Sequence, residues 1–245
     1  MAAERVPAVP AIALAALTLA GCAPSPDPAS LAWDPFEPQN RAAHGVNVAI
    51  DRSAWGPFAR GYGSAVPAPV RRGISNVRTH LRLPHHAVQY LLQGRGEHAL
   101  RTAMRFAVNT AFGLGGLVDP ASEMGLDYRL TNVDETLHVW GLAEGGYVEL
   151  PVGGPGTERD WWGWALDFAV DPFTYVLPGA GTNAVLAASA LDLVNDRYTL
   201  DAALESILYD SADSYTSLRI SYLQAMRARL QDDADLELLE DIYDF

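Results

Sequence analysis

The pattern of apolar and polar positions is clearest between residues 97 and 112, where it predicts an amphipathic helix. Apolar side chains recur there at intervals of three and four, which places them on one face. They are Leu100, Met104, Ala107, Val108, Ala111 and Phe112. Arg101, Arg105 and Asn109 are each four residues apart and form a second, polar stripe. This stripe is a candidate border for both lipid and phosphate, and the alternative is an ordinary surface helix.

Glycines follow this helix and predict a hinge. Gly113 stops the helical pattern, and Gly115 and Gly116 allow the chain to turn sharply before a short apolar run. The alternative is a plain glycine cap without any movement.

Similar spacing elsewhere predicts further helices, so the expected fold class is all-α, with broken amphipathic helices and glycine- and proline-rich hinges. Helices are expected from about residue 39, over 69–81 and over 84–93, with a loop or broken helix over 52–69. The helix 84–93 should form an antiparallel hairpin with 97–112, because only a short glycine-containing link separates them. Residues 198–231 show a helical pattern with a break near 211–214.

The middle of the chain is less regular. Two short apolar runs, 137–142 and 147–152, favour short strands or extended segments. Residues 150–156 contain two prolines and three glycines, which predicts a rigid turn that cannot be helical. Residues 231–245 form an acidic tail, mobile or weakly helical.

The N-terminal segment has the pattern of a lipoprotein signal. Residues 11–20 form an apolar run that is too short to span a bilayer, and it ends in Leu-Ala-Gly before Cys22. This matches a bacterial lipobox, so we expect a signal peptide over 1–21, acylation of Cys22 and a tether over 22–32. Ala23, rather than an aspartate, favours the outer membrane. The alternative is an ordinary secretory signal with a free cysteine.

Charge is unevenly distributed along a chain whose net charge is -13. All 17 basic residues are arginines; residues 36–110 hold ten of them against three acids, and residues 111–245 hold six against 24 acids. Such polarity favours an anion on one side of the molecule and a basic partner or water on the other. Nucleic acid is not an expected partner, because the chain is exported.

Residues 161–194 are the most apolar part of the mature chain, yet no uninterrupted run reaches roughly 20 residues, so no transmembrane helix is expected. Trp161, Trp162 and Trp164 fall within four positions, which is typical of a membrane interface. The alternative for these rings is a soluble aromatic core.

Motifs for catalysis, nucleotide binding or metal binding are absent from the sequence. There is no Gly-x-Ser-x-Gly, His-Glu-x-x-His, Walker or Gly-x-Gly-x-x-Gly pattern. His80, His85 and His86 lie among arginines, which disfavours a metal cation. We therefore expect no catalytic residue, metal or cofactor, although serines, histidines and aspartates are present and an enzyme stays open.

With these segments laid out, the chain resembles the MlaA (VacJ) family of outer-membrane lipoproteins over 33–230. The order and spacing of several short motifs carry the resemblance. They are Asp34-Pro35-Phe36-Glu37 with Asn40-Arg41, Gly73-Ile74-Ser75-Asn76, Leu92-Gln93-Gly94, Arg105-Phe106 with Asn109, Gly113 to Asp119, Thr136-Leu137 with Trp140-Gly141, Gly146-Tyr147 with Leu150-Pro151, Gly154-Pro155 with Arg159-Asp160, and Tyr215, Arg219, Tyr222, Gln224 and Arg227.

The resemblance implies an all-helical ring in the inner leaflet of the outer membrane, on the periplasmic side, with a polar channel. It also implies removal of misplaced phospholipid from the outer leaflet, transfer to the periplasmic carrier MlaC, and association with a trimeric porin. Neither catalysis nor a cofactor is implied. On the residues alone, a lipoprotein lipid hydrolase and a structural interaction lipoprotein stay open as alternatives.

The chain departs from the family's pattern in three places. Gln39, His44 and Val46 stand where the family usually has aromatic residues around Asn40-Arg41. Asp134 and Glu135 replace an expected Phe-Gly, and Ser214 replaces a proline that usually precedes Tyr215.

Overall fold

A computed structural model of the chain describes residues 30, 31, 33–127, 129–170 and 180–243. The signal peptide, Cys22 and nearly all of the tether lie outside these residues. The described part is mainly helical, with one two-stranded sheet. This confirms the all-α expectation.

The first half consists of helices. They are α1 (Glu37–Ile50), a π-helical turn (Asp51–Trp55), α2 (Gly56–Ala65), α3 (Ala68–Leu92), α4 (Gly96–Ala111) and α5 (Pro120–Glu123). The predicted hairpin is confirmed, because α3 packs along α4 across a turn in which Gly94 adopts φ +80°. The broken helix predicted over 52–69 is also present, as the π-helical turn followed by α2.

The second half surrounds a small sheet. Its elements are α6 (Val133–Val139), β1 (Tyr147–Leu150), β2 (Gly154–Thr157), α7 (Glu158–Val170), α8 (Ala180–Thr199), α9 (Asp201–Glu205), a π-helical turn (Ser206–Asp210) and α10 (Ser214–Tyr243). The strands β1 and β2 pair antiparallel, with Tyr147 opposite Thr157 and Leu150 opposite Gly154. The predicted break near 211–214 is confirmed as the bend before α10.

Two predictions of secondary structure were wrong. Helices 69–81 and 84–93 are one helix, α3, with Pro84 in its interior. An interior proline removes a hydrogen bond and costs roughly 3 kcal/mol, and burial of the adjacent apolar side chain of Leu83 acts in the opposite direction. Residues 137–142 do not form a strand: most belong to α6 and its final turn, because Asn132 caps that helix by accepting a hydrogen bond from Glu135 N at 3.0 Å.

The expected strand at 147–152 is confirmed as β1, but its partner was missed. β2 occupies residues predicted as a turn, and its Gly-Pro-Gly-Thr sequence has no strand signal of its own. Its position follows from pairing with β1 and from packing against Trp161.

The distribution of polar and apolar side chains on α4 is inverted relative to that of a helix in an ordinary soluble domain. On α4 the polar face is inward, with Thr102, Arg105 and Asn109 buried, whereas Leu100 and the C-cap residue Phe112 are 62% and 77% exposed. A compact apolar cluster does exist, around the sheet and α10. Its buried members are Tyr147, Tyr215, Leu223, Met226 and Leu230.

In the part of the chain that the structure describes, no helix combines the length and the apolar content needed to cross a membrane.

Candidate functional site

The buried polar face of α4 is organised around Asp119. Arg105 is 4% exposed; it forms an ion pair with Asp119 and donates to Ser122 Oγ at 2.8 Å. Asn109 Nδ2 donates to the other oxygen of Asp119 at 2.8 Å, and its Oδ1 accepts from Ala121 N at 3.0 Å. Two of the three residues of the predicted polar stripe therefore hold the segment after the helix against the helix itself.

The charge state of Asp119 follows from these contacts. Burial raises the pKa of its carboxyl group, but hydrogen bonds from Ser122 and Asn109 and the charge of Arg105 outweigh that effect. The pKa of Asp119 therefore lies below its ordinary value, and the side chain is a carboxylate at neutral pH.

Arg101 lies apart from this network. It is exposed and pairs with Glu97, one turn earlier on the same helix. The structure thus brings Arg105 and Asn109 together and leaves Arg101 on the neighbouring surface.

The glycines after α4 differ from one another in their surroundings. Gly116 adopts φ +92°, and a Cβ there would lie 2.3 Å from the Cβ of His80. A Cβ at Gly113 would lie 2.4 Å from the carbonyl oxygen of Val118. Only Gly115 among the three, at φ +68°, faces open space. Two of the predicted hinge residues therefore sit in close packing.

A pocket of about 490 Å³ opens beside this network. Arg105, Arg129, Arg229 and Asp119 supply its charged groups. Arg129 Nη2 donates to the carbonyl oxygen of Arg229 at 2.8 Å, which holds the two arginines next to each other. Three guanidinium groups and one carboxylate give the lining an excess of positive charge in a strongly acidic chain. Such a lining favours an anion with several oxygens, such as a phosphate.

A second, larger cavity of about 810 Å³ lies between α10, the sheet and the residues after α6. Its lining is mixed: Trp33, Leu223 and Leu230 are apolar, whereas Arg159 and Arg227 are charged. Arg227 is paired with Glu144 at 2.9 Å. This combination suits a molecule with both a charged group and an apolar part.

Asp134 connects the linings of the two cavities. It accepts from Arg159 Nε at 2.7 Å, and Arg229 Nη2 lies 3.5 Å from its other oxygen. Burial raises the pKa of Asp134, and the charge of Asp160 raises it further, which outweighs the effect of Arg159. Asp134 stands at a position where the family resemblance implies a different residue. No sequence pattern indicated that Arg129 and Arg229 line the same pocket as Arg105.

The three tryptophans have separate environments. Trp161 donates from Nε1 to the carbonyl oxygen of Val148 at 3.0 Å and packs against the glycines of the sheet. Trp162 is half-buried, and Trp164 is 67% exposed. The membrane-interface prediction therefore has its best candidate in Trp164.

The histidines of α3 do not converge on one point. His85 Nε2 lies 2.8 Å from Asp167 Oδ1, whereas His80 stacks on Phe106. Burial, aided by the charge of Arg82, lowers the pKa of His86 to about 3. Among the residues that the structure describes, no group of three or more potential ligands could hold a metal ion.

Known proteins resemble this chain over most of its length. The family model described as MlaA lipoprotein matches residues 32–229. A Haemophilus influenzae protein named intermembrane phospholipid transport system lipoprotein MlaA is 30% identical over 238 residues, 94% of this chain and 93% of that protein. The protein of the same name in Escherichia coli K12 is 32% identical over 218 residues, 87% of this chain and 85% of its own.

A solved structure agrees with these matches. It is described as "Structural basis for maintenance of bacterial outer membrane lipid asymmetry" and aligns with TM-score 0.68 at 28% identity, covering 81% of this chain and 99% of the other. The family model spans well over half of the sequence. The chain belongs to the MlaA lipoprotein family.

Proposed function

We propose that this protein is the outer-membrane lipoprotein of an intermembrane phospholipid transport system and acts in maintaining outer-membrane lipid asymmetry. The names of its relatives support this function. The observation that carries it is the inverted polarity of α4, with apolar side chains outward and a buried arginine inward. A helix face of this kind is stable where its outer side meets acyl chains rather than water.

The body of the protein lies in one leaflet, anchored by acyl chains on Cys22. Because no water satisfies backbone groups within lipid, broken helices there must pack on each other or line a wet cavity. A ring of such helices provides a polar route for a charged head group while the tails stay in apolar surroundings. Trp164 lies at head-group level, where an amphipathic ring is most favourable.

The head-group route passes the arginine-lined pocket. A phosphate in hydrocarbon costs several kcal/mol, and guanidinium groups can accept it through paired hydrogen bonds. Arg105 lines the route, Asn109 fixes the position of the segment beside it, and Arg101 flanks it from the surface. Gly115 permits that segment to open, with Gly113 and Gly116 as the close-packed ends of the hinge.

The partners follow from the chemistry of the cargo. A phospholipid does not cross an aqueous space unaided, so the proposed transport requires a periplasmic carrier of the MlaC kind. A trimeric porin provides a fixed protein surface in the outer membrane against which the ring can lie. No cofactor takes part.

The test is complementation of a Gram-negative strain that lacks its own MlaA-family protein. Outer-leaflet phospholipid is measured by digestion of intact cells with an added phospholipase. The wild-type chain should restore low outer-leaflet phospholipid, whereas Arg129→Gln with Arg229→Gln should not. The matched control is Arg72→Gln, which removes an exposed arginine of α3 outside the pocket and should complement.

Equal abundance on immunoblots is required for all variants. If the wild-type chain is abundant and correctly lipidated yet leaves asymmetry unrestored, the proposed function fails. If the double variant complements as well as Arg72→Gln does, the pocket is not part of the route.

A further inference from the structure

Three polar side chains from distant parts of the chain meet where α1, β1 and α10 join. Ser214 Oγ lies 3.0 Å from His44 Nε2, and His44 Nδ1 lies 3.2 Å from Glu149 Oε1. His44 and Glu149 are buried, and Ser214, the first residue of α10, is half-buried. A hydroxyl, an imidazole and a carboxylate joined in this order form the hydrogen-bonded set that activates a serine for acyl transfer.

The carboxylate is firmly positioned. Asn47 Nδ2 donates to Glu149 Oε1 at 2.9 Å, and the hydroxyl of Tyr147 donates to Oε2 at 3.2 Å. The backbone N of Glu149 donates to Asn40 Oδ1 at 2.9 Å, which fixes the strand itself. With Nδ1–H donated to this carboxylate, the Nε2 atom of His44 is the acceptor for the hydroxyl of Ser214.

The nucleophile also lies where negative charge is favoured. The first N–H groups of a helix point out of its N-terminus and carry partial positive charge. Asp213 occupies two of these groups on α10, by accepting from Thr216 N at 3.2 Å and from Ser217 N at 3.0 Å. The N–H of Tyr215 directly follows Ser214 at the same helix end, and it is the candidate donor to an oxyanion formed there.

We propose that Ser214, His44 and Glu149 form a site that hydrolyses carboxylic esters, an activity beyond lipid transport. Ser214 is the nucleophile, His44 is the general base and then the general acid, and Glu149 is a positioning residue. The substrate class is a carboxylic ester because a serine activated by a histidine and a carboxylate attacks an acyl carbonyl carbon.

The reaction requires only these three side chains and water. Ser214 Oγ forms a bond to the acyl carbonyl carbon while its proton passes to His44 Nε2. The ester C–O bond then breaks, and the departing alcohol takes that proton. Water attacks the acyl-serine, gives one proton to His44, and displaces Ser214 Oγ, which recovers the proton as the free carboxylic acid leaves.

The experiment uses full-length protein in detergent with two probes, a fluorescent fluorophosphonate and p-nitrophenyl butyrate. The wild-type protein should be labelled at Ser214, confirmed by peptide mass spectrometry, and should release p-nitrophenol. Ser214→Pro removes the hydroxyl group, and proline is well tolerated in the first helical turn. It should keep the thermal unfolding profile but lose labelling and at least about 100-fold in rate.

Ser64→Ala is the matched control, since Ser64 is an exposed helical serine whose hydroxyl donates to the carbonyl oxygen of Gly61. It should label and react like wild type. Glu149→Gln should lower kcat and leave KM within about twofold, which separates a positioning effect from a lost binding surface. Folded wild-type protein that is not labelled at Ser214, or Ser214→Pro that hydrolyses the ester at the wild-type rate, would overturn the proposal.

The result of the labelling and ester-hydrolysis experiment does not depend on whether the protein transports phospholipid. Ser214→Pro is expected to restore outer-membrane asymmetry as wild type does, because the pocket arginines are unchanged. Loss of hydrolysis with asymmetry restored therefore separates the two activities.

Discussion

At the scale of single residues, the main feature is Arg105, which is buried and paired with Asp119. A buried guanidinium is costly unless it is paired and hydrogen-bonded. Here Asp119, Ser122 and the carbonyl of Leu126 all accept from it. The same contacts close the segment after α4, so the residue combines a structural role with a position on the pocket wall.

Asp119→Asn should destabilise the protein by about 3 kcal/mol, because it leaves the buried Arg105 without its ion-pair partner. The free energy of unfolding from urea denaturation measures this effect. Asp213→Asn is the control, since the pair between Asp213 and Arg41 is exposed on both sides. That change should cost less than about 1 kcal/mol, and asparagine keeps the helix cap. Equal losses of unfolding free energy in Asp119→Asn and Asp213→Asn would contradict the expectation that the buried ion pair contributes more than the exposed one.

The pH dependence of the Asp119 effect has a defined sign. Its pKa is lowered in the folded state, so its contribution to stability is present above the ordinary aspartate pKa of about 3.9 and is lost as pH falls through the lowered value. The difference in unfolding free energy between wild type and Asp119→Asn should therefore be full at pH 7 and shrink below about pH 4. A difference that grows on acidification would show that another group dominates.

Gly115 and Gly116 should respond differently to alanine. Gly115→Ala introduces a left-handed alanine in open space and should cost about 1 kcal/mol. Gly116→Ala adds a clash with His80 to the same backbone strain and should lower the melting temperature much further. Calorimetry of both variants provides the comparison. Similar melting temperatures would mean that the loop relaxes away from α3 at little cost.

At the scale of elements, α7 divides its tryptophans between packing and exposure. Trp161→Phe removes the hydrogen bond to Val148 and the contact with the sheet, and should cost about 1–2 kcal/mol. Trp164→Phe should leave stability within about 0.5 kcal/mol. The measurements are urea unfolding and fluorescence quenching in vesicles of brominated lipid.

Quenching should be reduced mainly in Trp164→Phe, because that ring is the exposed one. If removal of Trp161 reduces quenching more than removal of Trp164 does, the exposed ring is not the one at the membrane.

The comparison of predicted and observed helices and strands shows what sequence patterns can predict. The strong apolar periodicity predicted α4, and glycines predicted the end of this helix and its hairpin with α3. The patterns failed where tertiary contacts decided the outcome. Pro84 is retained inside α3 because its neighbours are buried, and β2 exists because β1 and Trp161 hold it. Periodicity alone could not distinguish a helix from a strand over the short run 137–142, and the N-cap at Asn132 favours the helix.

At the scale of the whole molecule, the site was predictable only in part. The polar stripe gave Arg105 and Asn109, but Arg129 and Arg229 come from a loop and from α10. Their convergence depends on the path of the whole chain, which no local pattern records. The periodicity of α4 also could not reveal which face is buried, because the usual rule assumes that water surrounds the protein.

The inverted polarity leads to a test of the membrane-embedded arrangement. Leu100→Gln with Phe112→Gln replaces two outward apolar side chains of α4 by polar ones. Because both are exposed, the melting temperature in detergent should stay within a few degrees. Binding to vesicles should weaken by roughly tenfold or more, since burying one such side chain in lipid is worth about 1.5–3 kcal/mol.

The measurement is flotation with uncharged phosphatidylcholine vesicles, using full-length protein with Cys22→Ser so that an acyl anchor does not dominate. Arg101→Gln is the control on the same helix, and it should float like the parent protein because it leaves the apolar face unchanged. If the double variant binds these vesicles as tightly as the control, the outward face of α4 does not contact lipid. The exposed apolar surface would then have to be covered by a protein partner instead.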